Sequence, residues 1–142
     1  MSNGKPSAPP QRVLAAVEGG GTSWVVALAH APTDPPLERE TFATSDDPKE
    51  TLAAVAQWLS ERRYDALGVA TFGPVDLDPA SSTYGYITTT PKKGWRHTDV
   101  LGPLRAVRPG VPCAFDTDVN APALAEFREA RKEGRVRSSI AY

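Results

Sequence analysis

Residues 13–29 read VLAAVEGGGTSWVVALA and contain two apolar runs around a glycine-rich turn. The runs, VLAAV at 13–17 and WVVALA at 24–29, have the length and composition of buried strands. The residues between them, EGGGT at 18–22, are too few for a helix and rich in turn formers. The stretch therefore predicts two strands joined by a tight glycine turn.

The clearest helix of the chain begins after Asp47. Asp47 suits an N-cap, Pro48 takes the first helical position, and Glu50 has the spacing of a capping box. Four apolar residues recur at helical spacing and predict one buried stripe: Leu52, Val55, Ala56 and Leu59. Arg62 and Arg63 follow at the C-terminal end, where positive charge is favourable for the helix dipole.

The remaining elements follow in a simple order. We expect an edge strand near 38–44, a buried strand at 66–72, a long loop over 75–95, a short helix at 99–107 and a strand at 112–116. A final helix is expected from Asn120. Three strands followed by alternating helices and strands predict an α/β fold, with a mixed sheet flanked by helices. A ribonuclease-H-like domain requires this order of elements.

Composition excludes several classes of protein. The chain has 142 residues with 40% apolar content, enough for one domain, and its net charge of -1 indicates no nucleic-acid or membrane partner. Cys113 is the only cysteine, so neither an internal disulfide nor a C-x-x-C zinc knuckle can form. Residues 1–11 contain no apolar run and are expected to be a flexible leader rather than a signal. We expect a cytoplasmic protein.

The glycine turn is a candidate phosphate site. Glycines lack Cβ atoms, so their backbone N–H groups can approach an anion closely, and the Thr22 hydroxyl adds a donor. The spacing is not that of a P-loop, which needs a lysine after the last glycine, nor that of a dinucleotide fingerprint, since a strand follows. A tight turn without a ligand explains the same residues equally well.

Two carboxylates follow the last predicted strand. Asp116 and Asp118 lie just before a helix, at the edge of an α/β sheet where ligands bind. A carboxylate there can accept a proton from a hydroxyl that attacks a phosphoryl group. The commoner alternative is that Asp118 or Asn120 caps the helix.

The loop TYGYITTTPKKGW at 83–95 is the third candidate region. Its hydroxyls, lysines and aromatic rings suit a polyhydroxylated ligand, which needs hydrogen bonds and a stacking surface. An ordinary surface loop with a buried Trp95 would have the same composition.

Taken together and in order, these segments resemble the ROK family of bacterial sugar kinases. The turn at 18–22 is similar to the family's first phosphate motif, in which an acidic and a small residue precede Gly-Gly-Thr. ATFGPVDL at 70–77 resembles the strand and substrate loop, and YGYITTTPK at 84–92 resembles the fructokinase branch more narrowly. DTDVN at 116–120 matches the block that holds the catalytic aspartate.

The resemblance implies ATP- and Mg²⁺-dependent phosphorylation of a hexose, with fructose to fructose 6-phosphate as the specific expectation. The aligned base is Asp118, and Glu18 would lie near the metal, directly or through water. Three residues of the turn would hold the phosphate: Gly20, Gly21 and Thr22. Three further residues would help to place the sugar: Gly73, Lys92 and Asn120.

The chain departs from the family pattern in three ways. Ser23 stands where the family usually has a lysine, and Lys93 replaces a proline before the Gly94–Trp95 pair. Family members are about twice as long, and their second half carries the adenosine site and a cysteine–histidine zinc site that this chain lacks. We therefore expect residues 12–142 to form the N-terminal ribonuclease-H-like lobe (actin-like ATPase superfamily), without the second lobe.

Three hypotheses about function follow. The chain is half of a fructokinase that needs a second lobe or a second copy, or it is a non-catalytic carbohydrate-binding or regulatory module. The third hypothesis is a truncated remnant without a function of its own. The ROK repressors carry a helix-turn-helix ahead of the glycine motif, and the few residues before position 13 argue against that class.

Overall fold

One five-stranded mixed sheet organises the computed structural model, which describes residues 11–117. In chain order the elements are β1 (Leu14–Gly19), β2 (Ser23–Ala29), β3 (Glu38–Ala43), α1 (Pro48–Ser60), β4 (Ala66–Thr71), β5 (Tyr86–Ile87), β6 (Thr98–Asp99), α2 (Leu101–Arg105) and β7 (Cys113–Thr117). The strand order in the sheet is β3-β2-β1-β4-β7. β1, β2 and β3 are antiparallel neighbours, whereas β1, β4 and β7 run parallel. The expected mixed sheet is confirmed.

Buried residues alternate with more exposed ones along the strands and define the inner face of the sheet. In β1, Ala15, Val17 and Gly19 are buried, while the residues between them are exposed. Their partners on β2 alternate in the same phase, because Gly19 pairs with Trp24 and Val17 pairs with Val26. Side chains two residues apart share one face of a strand, so these residues form a continuous apolar layer under α1 and the loop that ends at Trp95.

Helix α1 begins as expected, with Asp47 as its N-cap. The Asp47 carboxylate accepts a hydrogen bond from the Lys49 amide at 3.0 Å. The expected capping box is wrong, because the Glu50 carboxylate accepts from the Ser45 hydroxyl at 2.6 Å instead of reaching the cap amide. That cap amide, on Asp47, donates to the same Ser45 hydroxyl at 3.0 Å, so Ser45 joins both residues.

The apolar stripe of α1 is wider than the sequence spacing indicates. Leu52, Val55 and Leu59 are buried as expected, and Trp58 is buried beside them. The helix ends at Ser60, so the two arginines lie beyond its last turn. Arg62 nevertheless satisfies the helix terminus by donating from Nη1 to the Trp58 carbonyl at 2.8 Å.

The segment between β4 and β7 contains more structure than expected. β5 and β6 pair within the region predicted as a loop and form a two-stranded ribbon. α2 is shorter than the predicted helix at 99–107, because residue 99 belongs to β6 and its carboxylate accepts from the Gly102 amide at 2.8 Å. The predicted helix from Asn120 lies outside the described residues. Along 11–117, no helix is both long and apolar enough to cross a bilayer.

Candidate functional site

The glycine turn is a hairpin that leaves two amides available. The Gly20 amide donates to the Ser23 carbonyl at 2.9 Å and is therefore used by the turn itself. Within residues 11–117, no hydrogen bond is donated by the amide of Gly21 or Thr22, and both residues are exposed. A Cβ on Gly21 would meet no atom of residues 11–117 within 4 Å, so these residues leave open space in front of it.

Gly19 has a packing role rather than a ligand role. A Cβ at this position would lie 2.6 Å from Cε2 of Trp24, closer than real carbon atoms approach. Trp24 is fully buried, so its indole ring has no room to move away. Glycine is therefore required here because an aromatic ring covers the backbone at the end of β1.

Three parallel strands end together at the edge of the sheet that carries the glycine turn. Gly19 pairs with Thr71 of β4, which pairs in turn with Thr117 of β7. The Phe72 amide also donates to the Gly19 carbonyl at 2.9 Å, so Gly73 lies at the same edge as the turn. The structure thus brings together four of the predicted residues: Gly20, Gly21, Thr22 and Gly73. Two predicted residues, Asp118 and Asn120, lie outside the described residues.

A second row of residues lies on the opposite face of the same strands. Glu18, Ala70 and Asp116 are paired in register across β1, β4 and β7. Neighbouring strands are about 4.8 Å apart, so the two acidic residues are separated by about 10 Å at the backbone. Glu18 is exposed at the end of β1. In the part of the chain that the structure describes, no three histidine, cysteine or acidic residues cluster closely enough to hold a metal ion.

Asp76 organises the loop that follows Gly73, a role that the sequence analysis missed. Its carboxylate accepts hydrogen bonds from the hydroxyls of Ser81 and Thr83, each at 2.6 Å, and from the Asp78 amide at 3.0 Å. The bond from Ser81, followed by those from Thr83 and Asp78, holds the pKa of the Asp76 carboxyl below its usual value. The spacing of Asp76 and Asp78 is the signal that could have revealed this role, because an aspartate side chain in a turn accepts a hydrogen bond from the backbone two residues further on.

Lys92 lines a solvent-open cavity of about 370 Å³ together with Pro91, Lys93, Gly94 and Arg96. Within residues 11–117, none of these three cations has a carboxylate within ion-pair distance. Arg96 is held by a hydrogen bond from Nε to the Thr90 carbonyl at 3.0 Å. The cavity therefore presents unneutralised positive charge, which attracts electron-rich groups such as hydroxyls and anions.

Trp95 is fully buried, as the alternative interpretation of its loop expected. Its ring stacks on Trp24 with centroids 5.5 Å apart and contacts the edge of Phe72 at the same centroid distance. The role of Lys92 in the same loop stays a prediction.

Comparison with known proteins identifies the family. The sequence profile of the ROK family matches residues 14–142. The chain belongs to the ROK family. The fold agrees, since the mixed five-stranded sheet corresponds to the N-terminal domain of ROK kinases, which have the actin-like ATPase fold.

Two ROK relatives are similar in sequence at about the same level. A fructokinase from Lactococcus lactis subsp. cremoris is 40% identical over 112 residues, which cover 79% of this chain and 38% of the relative. A putative fructokinase from Bacillus subtilis strain 168 is 41% identical over 122 residues, covering 86% of this chain and 40% of the relative. The chain thus spans about two fifths of the length of these relatives and aligns with their N-terminal part.

One solved ROK structure shows the match in three dimensions. A ROK family glucokinase from Streptomyces griseus, in complex with glucose and AMPPNP, superimposes with a TM-score of 0.61 at 22% identity. The alignment covers 84% of this chain and 36% of the glucokinase. At this level of identity the match concerns the fold.

Proposed function

We propose that this chain is the sugar-binding and catalytic-base lobe of a ROK sugar kinase that phosphorylates a hexose, specifically fructose at its 6-hydroxyl. The supporting observation is that β1, β4 and β7 end in register at one edge of the sheet. That edge carries the glycine turn and Gly73, and β7 leads in sequence directly to Asp118. The relatives named fructokinase, at 40% identity, support the choice of fructose.

In this proposal the phosphoryl group is held by backbone amides. Since the Gly20 amide is occupied within the turn, the donors to the phosphate oxygens would be the amides of Gly21 and Thr22 with the Thr22 hydroxyl. Gly20 contributes by shaping the turn, because a Cβ there would lie 3.1 Å from the Ser23 carbonyl oxygen. Fixed donors that face developing negative charge are the main source of catalysis in phosphoryl transfer.

The remaining roles belong to side chains around the turn. Asp118 would accept the proton of the sugar hydroxyl as the hydroxyl oxygen bonds to the γ-phosphorus of ATP and the bond from that phosphorus to the bridging oxygen breaks, releasing ADP. Gly73, Lys92 and Asn120 would place the sugar, with Lys92 donating to a hydroxyl from its electropositive cavity.

Glu18 is the described residue that would hold a Mg²⁺ ion bound with ATP, and the ion would supply positive charge against the phosphates. Magnesium usually keeps several waters and takes only one or two protein carboxylates, and a single exposed Glu18 suits that requirement. Residues 11–117 provide no three-ligand protein site, so the phosphates and water would complete the coordination.

The assignment of the base is tested by substitution in a complete kinase that carries this chain as its N-terminal lobe. We expect Asp118→Ala to lower kcat by about 10²–10⁴-fold and leave fructose affinity roughly unchanged, because the residue acts on the proton rather than on sugar binding. The matched control is Asp116→Asn, which removes the neighbouring carboxylate and should lower kcat much less.

Turnover measured with a coupled ADP assay, and fructose affinity measured by calorimetry, would separate the outcomes. Wild-type kcat in Asp118→Ala, or a larger loss in Asp116→Asn, would show that Asp118 is not the base. Fructose affinity without any turnover in the complete protein would instead favour the non-catalytic carbohydrate-binding module.

A further inference from the structure

A short segment at 44–46, between β3 and α1, is hydrogen-bonded to the glycine turn. The Thr44 amide donates to the Thr22 carbonyl at 2.9 Å, and the Thr44 hydroxyl donates to the Gly20 carbonyl at 2.8 Å. The Gly20 carbonyl shares its peptide unit with the Gly21 amide, and the Thr22 carbonyl shares its unit with the Ser23 amide, so Thr44 holds the two peptide units on either side of the Gly21–Thr22 unit. The direction of the Gly21 amide therefore depends directly on where this segment lies, and the Thr22 amide belongs to the unit between the two that are held.

The same segment is held from its other side by Trp95. The indole Nε1–H donates to the Ser45 carbonyl at 2.8 Å. Next to it, Gly94 has a φ of +85°, and a Cβ there would collide with the Asp46 carbonyl oxygen. Only glycine can occupy that position. Because Gly94 lies so close to Asp46, the adjacent Trp95 packs against segment 44–46.

Trp95 reaches the turn by a second route through aromatic stacking. Its ring lies on Trp24 with an interplanar angle of 22°, and Trp24 in turn covers Gly19, the last residue of β1. Both indole rings are fully buried. Trp95 is thus connected to the glycine turn by two indirect routes, one through the ring of Trp24 and the other through the hydrogen bonds of segment 44–46.

We propose that Trp95 is a positioning residue that, through segment 44–46, holds the glycine turn in the conformation that accepts a phosphate. The statement about phosphate rests on the proposed function, whereas the coupling between Trp95 and the turn does not. Donors aimed in advance at their ligand bind it better, because no ordering is required on binding.

Hydrogen exchange by NMR on the 142-residue chain tests the coupling directly. The reporters are the Gly20 and Thr44 amides, whose acceptors lie in and beside the turn, compared with amides of the interior strand β4. We expect Trp95→Phe to accelerate exchange at the reporters by about fivefold or more relative to β4, since it removes the indole donor and leaves an aromatic ring.

Two sets of variants control this experiment. Trp58→Phe is the matched control, because Trp58 is also buried but lies on α1, where its ring contacts the Arg62 guanidinium. It should change reporter and β4 exchange together. If Trp95→Phe does not fold, Thr44→Val still breaks the hydrogen bond to Gly20 and should loosen the reporters, while Thr44→Ser keeps the hydroxyl and should not.

The outcomes decide separately between the coupling and the phosphate role. An unchanged ratio of reporter to β4 exchange in Trp95→Phe, or in Thr44→Val where the first variant is unfolded, would overturn the coupling. In parallel, inorganic phosphate is titrated into the wild-type chain, and we expect it to shift the Gly21 and Thr22 amide signals. If exchange responds as expected but phosphate shifts neither signal, the coupling between Trp95 and the turn is supported and the proposed phosphate site is contradicted.

Discussion

At the scale of single residues, Gly19 shows that the three glycines of the turn meet two different requirements. Gly19 needs to lack a Cβ because Trp24 packs on its backbone, whereas a Cβ on Gly21 would meet no atom of residues 11–117 within 4 Å. The sequence predicted the turn correctly and assigned Gly20 and Gly21 to the phosphate, but it did not predict the packing role of Gly19. The distinction depends on a ring that arrives from the opposite strand, which local composition does not reveal.

Substitution of these glycines separates packing from ligand binding. We expect Gly19→Ala to lower the free energy of unfolding by about 1–3 kcal/mol, because the added methyl group overlaps with a buried ring that has no room to move. Gly21→Ala is the control and should change it by less than about 0.5 kcal/mol. Urea denaturation monitored by circular dichroism measures both. Equal effects of the two variants would contradict this explanation.

The Asp76 carboxyl gives the following loop a specific pH dependence. Hydrogen bonds from Ser81 and Thr83 favour the charged form, so the pKa in the folded chain is lower than the unfolded value of about 3.9. The ionised Asp76 carboxylate therefore contributes its full stabilisation at pH values above the usual pKa range of aspartate. This stabilisation is lost as pH falls through the lower pKa of Asp76 in the folded chain.

An NMR titration from pH 7 to pH 2 tests this dependence through the Ser81 and Thr83 signals. We expect a midpoint below about 3.9 in the wild type. Asp76→Asn keeps the side-chain shape without a charge, and its signals should not titrate in that range. A wild-type midpoint at or above the ordinary aspartate value would argue against the carboxylate as the centre of the loop.

At the scale of elements, the N-terminus of α1 depends on Asp47. Because its carboxylate satisfies the otherwise unpaired Lys49 amide, we expect Asp47→Ala to lower the free energy of unfolding by about 1 kcal/mol. Asp46→Ala is the matched control, since the exposed Asp46 side chain makes no hydrogen bond within residues 11–117. Chemical denaturation compares the two. A larger loss in the control would show that Asp47 is not the effective cap.

An element could be predicted where its own residues show a helical or strand pattern. It could not be predicted where it forms only by pairing with a distant segment. Strands β1, β2 and β4 and helix α1 carry their own periodicity and were predicted closely. β5 and β6 have only two residues each and exist because Tyr86 and Asp99 pair across the loop. Trp58 was missed for a related reason, since the Arg62 guanidinium lies 3.8 Å from its ring centroid and covers a side chain outside the expected stripe.

At the scale of the whole molecule, the sequence predicted which segments form the site but not how their residues contact one another. Order along the chain indicated the glycine turn and the residue after β4, and the parallel register brings both to one edge. The hydrogen bonds of Thr44 and the indole of Trp95 connect residues separated by up to fifty positions, and no pattern in the sequence marks them. The predictions for Asp118 and Asn120 stay predictions.

The proposed division of the kinase into lobes predicts the behaviour of this chain alone. We expect the pure 142-residue chain to show no measurable ATP-dependent phosphorylation of fructose, because transfer needs fixed groups on both sides of the phosphates. A coupled assay with a complete ROK fructokinase as positive control measures this. Robust turnover by the chain alone would contradict the requirement for a second lobe.

The stacked pair of Trp24 and Trp95 has a consequence for how this protein can be observed. Two indole rings with centroids 5.5 Å apart and nearly parallel planes are close enough for their electronic transitions to interact. The third tryptophan, Trp58, lies under an arginine on α1 and provides a separate chromophore. The near-ultraviolet circular dichroism of the chain therefore depends on the contact between the Trp95 loop and the sheet. Loss of this contact can be measured on the native chain without an attached dye.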